Sequence, residues 1–557
     1  MIFLTTEKGG AAQNMGDIKA DSVYRNGRIY TVDGAMSLKE AIAVKDGKII
    51  GIGNDDEIEQ YISDSTKVTD LQKKTVLPGL IEGHTHLMKF GEVLMQIDCF
   101  WKPKEEIFDQ IREKVKTLEP GEWIQSDFGW NNEVWGDKSY PTKEELDAVA
   151  PDNPVSLGRC DGHMLWVNSK ALEIAGITKD TPDPQGGSIL KREDGELLGC
   201  VTDNACKLIV DKIPPLSGRQ LEKVLLSAQE ESFKLGFTSV MAMNVVTEHI
   251  NTMKRLYENG ELKLRVSGAL GSLPGEQEDP LWKDYYYQNG PEVELYGNKL
   301  NIRAVKLFAD GSFGSQSAAL FEEYSDCPGN YGKLNNTDEE LYKLTKEAYE
   351  HGFQVITHAI GDKANKQVID AYEKVLKENW NPNHRFRIEH FQLVTDEDVD
   401  KIKELKVLPS MQAIHAPRSA PMAERRIGKE RASRSYASGM PWKKGLMVIG
   451  GSDSPSSPAN PFWGIYAAVT RKDQDGNPEG GWFPENCISR EAALKSYTQW
   501  AAYGQFEEEL KGSLEPGKLA DFIVTDRDIM TCPVDEIKDT TVLLTVVDGE
   551  EVYKKAD

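Results

Sequence analysis

The 557-residue sequence predicts an α/β protein: a (β/α)8 TIM barrel carrying an inserted subdomain, plus a small β-sandwich domain built from both chain ends. Three observations lead there. The middle of the chain alternates short apolar strands with amphipathic helical patterns, the signature of β/α units. Eight such strands can be counted, the number that closes a TIM barrel. Both ends of the chain are instead strand-rich, with Asn-Gly and Asp-Gly turn signals.

Taken in order, residues 1–17 read as a polar N-terminal extension, whose apolar stretch at Ile2-Phe3-Leu4 is too short for a signal-peptide core and has no basic residue before it. Residues 18–75 and 512–557 form the composite β domain. Val23–Arg25 and Arg28–Val32 flank Asn26-Gly27, and Ala41–Val44 and Lys48–Gly53 flank Asp46-Gly47; each pair predicts a hairpin. At the far end Ala520–Thr525 and Val542–Val547 are strands, and Asp548-Gly549 turns the chain into Glu551-Val552-Tyr553. Residues 76–511 hold the barrel. Its strands are expected near Val76–Ile81, Ser239–Met243, Leu264–Ala269, Ala304–Phe308, Gln354–Thr357, Arg387–Glu389, Val407–Met411 and Met447–Gly450. The long gap after the first strand predicts a subdomain at about 98–207, expected over the barrel mouth. It carries Phe100, Trp101, Trp123, Phe128, Trp130 and Trp135, which suit either an apolar lid or the subdomain's own core.

Composition narrows the function classes. The net charge of −24 argues against nucleic acid or an anionic membrane surface as partner. No run approaches the ~20 apolar residues of a membrane span. Seven scattered cysteines without a Cys-x-x-Cys pair suit reduced thiols and a cytoplasmic setting. A small-molecule substrate is the expected partner, and the sequence leaves a homo-oligomer open.

The chemistry lies at the C-terminal ends of the barrel strands, where such barrels build their sites. Strand one ends in Gly83-His84-Thr85-His86, two imidazoles two residues apart, which alternation on a strand points to one face. A lone His-x-His is weak. Strand four carries Lys306, strand five ends in His358, strand six in His390 and strand eight in Asp453. An isolated histidine at a strand end is usually a hydrogen-bonded core residue, and an Asp before Ser-Pro is usually a turn residue. A lysine in an apolar strand is rare, because burying an unpaired ammonium is costly. Together the six positions suit a metal ion of the zinc class rather than packing.

These motifs resemble the amidohydrolase superfamily, and within it the family-3, YtcJ-like branch that includes N-substituted formamide deformylase. The resemblance is carried by Leu77-Pro78-Gly79-Leu80-Ile81-Glu82-Gly83-His84-Thr85-His86, Val305-Lys306-Leu307-Phe308-Ala309-Asp310-Gly311, Thr357-His358-Ala359, Arg387-Ile388-Glu389-His390 and Gly451-Ser452-Asp453. It extends to Asp161-Gly162-His163 in the insert and to Gly512–Asp521 in the tail. It implies a metal-dependent hydrolase of a C–N bond, amide, N-acyl or N-formyl, working through a metal-bound hydroxide. It implies that His84 and His86 bind one metal with Asp453, and that His358 and His390 bind a second. Lys306 would then react with carbon dioxide to a carbamate bridging two divalent ions, zinc being the expected metal. An ammonium has no acceptor and cannot itself be a ligand, so an unmodified Lys306 beside a single-metal site is the alternative. Asp453 is the expected catalytic acid–base group. Asp161, His163 and His415 are candidates for substrate contact. Two other functions stand beside this one: a metal-dependent deaminase of a heterocyclic amine, and a non-catalytic binding relative.

Overall fold

The computed structural model describes residues 18–99, 102–132, 135–160, 163–271 and 279–556. The expected N-terminal extension, residues 1–17, lies outside them. The chain divides into two compact units, one formed by the residues up to Leu87 together with Gln229 onward, the other by Met88–Ala228.

The first unit contains the barrel. Its strands are β1 (Leu80–Thr85), β2 (Phe237–Val245), β3 (Arg265–Leu270), β4 (Leu300–Phe308), β5 (Gln354–Ala359), β6 (Arg387–His390), β7 (Leu408–Met411) and β8 (Ile449–Gly450). They pair in chain order and all in parallel. Strands β1, β2 and β3 are buried on both faces, as a sheet wrapped by helices requires. The ring closes where Thr85 bridges Ser454 in parallel, and Gly83 makes that closure possible. A Cβ on Gly83 would sit 2.2 Å from the Gly450 carbonyl oxygen.

Helices between the strands bury one stripe each. In Asp362–Glu378, Val368, Ile369, Tyr372, Val375 and Leu376 face inward at helical spacing. Thr337 and Thr395 begin the helices Asp338–Glu350 and Asp396–Leu405 with reciprocal capping boxes to Glu340 and Asp398.

Both chain ends build two sheets of the same unit. One has four strands, in the order Lys48–Gly53, Ala41–Lys45, Ser22–Arg25, Lys67–Asp70. The other has six, in the order Glu550–Lys554, Val542–Val547, Phe522–Thr525, Thr75–Pro78, Arg28–Tyr30, Leu38–Lys39. Tyr24, Ile42 and Val44 from the first pack with Val76, Phe522 and Val546 from the second, so the pair is a sandwich.

Two local expectations need correction. Val76–Ile81 is not one strand. Thr75–Pro78 pairs with Phe522–Thr525 in the sandwich, and the barrel strand begins only at Leu80. The chain changes sheets at Gly79, where a Cβ would meet Thr238 Oγ1 at 2.2 Å. Asn26-Gly27 is not a hairpin turn either, since the strands it joins lie in different sheets. A two-residue type I′ hairpin needs positive φ at both central residues, and only Asn26 has it, at 58°. The Asn26 N–H is instead donated to Asp55 Oδ1 at 2.9 Å. The Asp46-Gly47 and Asp548-Gly549 hairpins form as expected.

The second unit is built on a five-stranded sheet in the order Gly187–Lys191, Leu197–Asp203, Met164–Val167, Val155–Arg159, Ile124–Trp130. Trp130, Trp135 and Trp166 pack in its core with Ile107, Phe108 and Ile111. Each indole N–H is satisfied, donating to the carbonyls of Leu157, Lys102 and Thr142. Trp123 packs half-buried against a second core of the same unit. Trp123, Trp130 and Trp135 are therefore the unit's own packing. Phe100, Trp101 and the Phe128 side chain lie outside the described residues. All seven cysteines are unpaired.

Candidate metal centre

Strand register brings the candidate ligands together at the C-terminal end of the barrel. Two rungs above Lys306, Phe308 at the end of β4 is paired with His358 on β5, and the next residue, Ala359, is paired with His390 on β6. The imidazole centroids of His358 and His390 lie 4.6 Å apart, and those of His84 and His390 5.0 Å apart. Asp453 follows β8, and its N–H donates to the His84 carbonyl at 2.8 Å. Both His390 and Asp453 have positive φ, 71° and 58°, a strained backbone of the kind that collects at functional sites.

The densest part is His84, His86 and Asp453, whose ligand atoms lie within 4.8 Å of one another. Asp453 Oδ1 is 3.3 Å from Nε2 of both His84 and His86. The tautomer of His84 follows from its other nitrogen. Nδ1 lies 2.5 Å from Glu389 Oε2. Burial alone would raise the Glu389 pKa, but the Arg387 guanidinium and the bond from His84 outweigh it and hold it well below the usual range. An ionised carboxylate only accepts, so Nδ1 carries the proton and Nε2 presents a lone pair. That Nε2 and Asp453 Oδ1 are both buried without a hydrogen-bond partner. Two lone-pair atoms facing each other in a buried site call for a cation. Two imidazole nitrogens and a carboxylate oxygen are the donor set of a zinc-class ion, so the residues fit the metal.

The other expected residues surround this group. His390 donates from Nδ1 to Gln412 Oε1 at 2.8 Å, leaving Nε2 as its acceptor nitrogen. Burial and the adjacent His358 keep it neutral, well below the ordinary histidine value. His358 Nε2 faces the Gly311 carbonyl at 3.1 Å. Lys306 is 4% exposed, and burial pushes its amine down to about 8 against the pull of Glu389 and Asp453. His415 opens the helix His415–Ala432, with Nε2 buried and without a partner. Burial lowers its pKa while the Asp453 carboxylate acts the other way. His163 belongs to the second unit, where it is exposed and 2.9 Å from Asp203 Oδ1. Asp161 lies outside the described residues.

Sequence reasoning gave no role to four residues that hold this site. Glu389 orients His84, and Arg387 bonds Glu389 through Nε at 2.8 Å and Nη2 at 3.0 Å. Glu82 Oε1 accepts the N–H groups of His84 and Ser452, tying β1 to β8, and burial raises its pKa to about 7. Asp310 accepts from Ala319, Ile360 and Gly361, stitching the loop after β4 to the end of β5. Charged residues inside apolar strands, as in Arg387-Ile388-Glu389-His390, were the signal available for the first three.

Comparison with known proteins gives a consistent result. The amidohydrolase family matches residues 67–553. Among curated proteins, the chain is 34% identical to Protein LONG AFTER FAR-RED 3 of Arabidopsis thaliana, covering 96% of this chain and 92% of that one. It is 30% identical to YtcJ of Bacillus subtilis, covering 96% and 100%, and 25% identical to N-substituted formamide deformylase of Arthrobacter pascens, covering 96% and 98%. Among solved structures it is similar to an uncharacterized metal-dependent hydrolase from Pyrococcus furiosus, at TM-score 0.73 and 29% identity, covering 92% of this chain and all of that one.

Proposed function

The chain belongs to the amidohydrolase family, and from that premise we propose that it hydrolyses the C–N bond of a linear amide, N-acyl or N-formyl. The observation that carries the reading is the pair of buried, orphaned acceptors, His84 Nε2 and Asp453 Oδ1, held 3.3 Å apart. In the proposal His84, His86 and Asp453 hold one divalent ion, and His358 and His390 hold the second. Zinc is the proposed metal and Lys306, as a carbamate, the bridge. The neutral amine of Lys306 adds its lone pair to the carbon of carbon dioxide, and the displaced proton goes to solvent. A pKa near 8 leaves part of the population neutral at physiological pH. The similarity to N-substituted formamide deformylase favours an N-formyl or short N-acyl group.

A divalent ion held by these residues would supply polarisation of the amide carbonyl and a water acidified towards a pKa of ~7. The protein's own groups do the rest. Asp453 Oδ1 faces the two imidazoles, which leaves Oδ2 to take the proton of the attacking water and return it to the leaving amine. Glu389 fixes the tautomer and ring plane of His84, and Gln412 those of His390. His415, with an unpartnered Nε2 and within the electrostatic reach of Asp453, is the proposed substrate contact.

The test is metal analysis and hydrolysis on one preparation. Protein loaded with zinc and bicarbonate should hold two metals per chain and release amine from N-formyl, N-acetyl or N-acyl-amino-acid amides. One metal per chain, with ammonia released from heterocyclic amines and none of the amides cleaved, would replace this reading by the deaminase.

A further inference from the structure

Strands β2, β3 and β7 contribute none of the six proposed ligands, yet β2 ends in an irregularity. Its register against β3 slips between Ala242 and Val245, so Met243 and Asn244 together oppose one residue. Asn244 has φ of 55°. A bulge of this kind re-aims a side chain, and bulges collect next to active sites. The side chain it re-aims is unusual. Asn244 is 8% exposed, and both Nδ2 and Oδ1 of its carboxamide are buried without a hydrogen-bond partner. Leaving both polar atoms unmade forfeits their bonds to water with no return, and the left-handed backbone adds strain.

Its surroundings tie it to the metal centre. Gly271, directly after β3, has φ of 150°. A Cβ there would lie 3.0 Å from the Lys306 carbonyl oxygen, and 3.6 Å from both Asn244 Nδ2 and Lys306 Cβ. The carboxamide and Lys306 therefore flank the same glycine, which puts no side chain between them.

We infer that Asn244 is a specificity residue that hydrogen-bonds the amide of the substrate, donating from Nδ2 to its carbonyl oxygen. The carboxamide nitrogen donates, and an amide oxygen has two lone pairs, so that oxygen can take this bond beside a second contact. The inference rests on the amide-hydrolase reading above.

The test compares wild type with Asn244→Gly and Asn244→Asp, all zinc-loaded, on N-butylformamide and N-butylacetamide. Glycine relieves the positive φ and removes both orphaned atoms; aspartate keeps the shape but loses the donor. Both variants should keep wild-type metal content and raise KM by about tenfold, the loss of one hydrogen bond, with a smaller change in kcat. Asn244→Gly should melt at or above the wild-type Tm, which a residue retained to hold the turn would not allow. An unchanged KM on every amide the wild type cleaves overturns the inference, and so does a lower Tm in Asn244→Gly. If the wild type cleaves neither amide, the functional reading fails on its own, and the Tm of Asn244→Gly still decides whether the side chain serves the fold.

Discussion

The two ends of the barrel treat buried ionisable groups in different ways. At the N-terminal end the buried charges are paired within the protein. Arg265 at the start of β3 bonds Asp521 through Nε at 2.6 Å and Nη2 at 3.1 Å, and also meets Asp548. Lys511 pairs with Glu507 at 2.5 Å, and Glu507 Oε1 accepts from Asn301 of β4. His384, just before β6, uses both nitrogens: Nε2 donates to the Leu405 carbonyl and Nδ1 accepts the Phe386 N–H, each at 2.8 Å. At the C-terminal end, His84 Nε2, Asp453 Oδ1, Gln412 Nε2, His415 Nε2 and both polar atoms of Asn244 are buried without partners. Buried polar groups are normally satisfied, so a cluster of exceptions marks where a ligand completes the structure. At the first end the chain pairs these charges itself, and the unpartnered atoms there, Gln354 Oε1 and Gln505 Nε2, are neutral amide atoms; at the other end they include two proposed metal ligands. Substitutions at the two ends should therefore separate stability from activity.

The largest separation is expected at Asp453. Asp453→Asn keeps the size and one ligating oxygen but removes the base, so kcat should fall by roughly 10²–10⁴. Metal content and Tm should stay near wild type. A rate loss under about threefold with metal retained would assign the proton to another group. At the opposite end, Arg265→Met strands the Asp521 carboxylate in the interior. Breaking one side of a buried pair costs about 3–5 kcal/mol, readable in urea unfolding, while kcat per folded molecule should not move. A drop in kcat at unchanged stability would erase the distinction between the two ends.

His384 gives the comparison a pH signature. Burial holds its pKa down at about 4, from an ordinary 6.5. A base with a depressed folded pKa contributes fully above the unfolded value and loses that contribution as pH falls. Between pH 6.5 and 4 the unfolded chain takes up a proton that the folded protein refuses. The loss is about 3 kcal/mol over that window. His384→Gln, which cannot titrate, should flatten the curve of stability against pH in that range. Identical slopes in the two proteins would mean that His384 does not stay neutral in the fold.

How far the sequence reveals each end follows from the same physics. His84, His86, His358, His390 and Asp453 are visible in the sequence because ligand-type residues recur at strand ends, and β/α alternation tells where those ends lie. The eight strands are visible because apolar runs of the right length recur between helical patterns. The sheet change at Gly79 is marked in the sequence only by the Pro78-Gly79 turn dipeptide, and the apolar residues on both sides of it read as one run. Asn26-Gly27 has hairpin chemistry, but its turn geometry is set by Asp55 and Asp70, distant in sequence. Gln412 and Asn244 are hidden for a related reason. Their roles depend on which strand lies beside them and, for Asn244, on a bulge that no periodicity marks.

The smallest effect sharpens the comparison most, because it asks whether the open end is tuned beyond its ligands. Gln412 holds His390 through one bond, Oε1 accepting from Nδ1 at 2.8 Å, while its Nε2 has no partner. Gln412→Met keeps the length and apolar bulk of the side chain. It removes the acceptor that fixes the His390 tautomer, together with one orphaned donor. A group that orients a ligand from behind is worth about 10–100-fold in metal affinity. Removing an unsatisfied donor should leave the metal-free protein as stable as before or slightly more so. Zinc affinity measured by competition with a chelator, beside the Tm of the metal-free protein, reads both quantities. Weaker zinc with an unchanged or higher Tm is the pattern of an end built for its ligand. An unchanged zinc affinity with a lower Tm would instead place Gln412 with Arg265 and His384, among the residues that serve the fold.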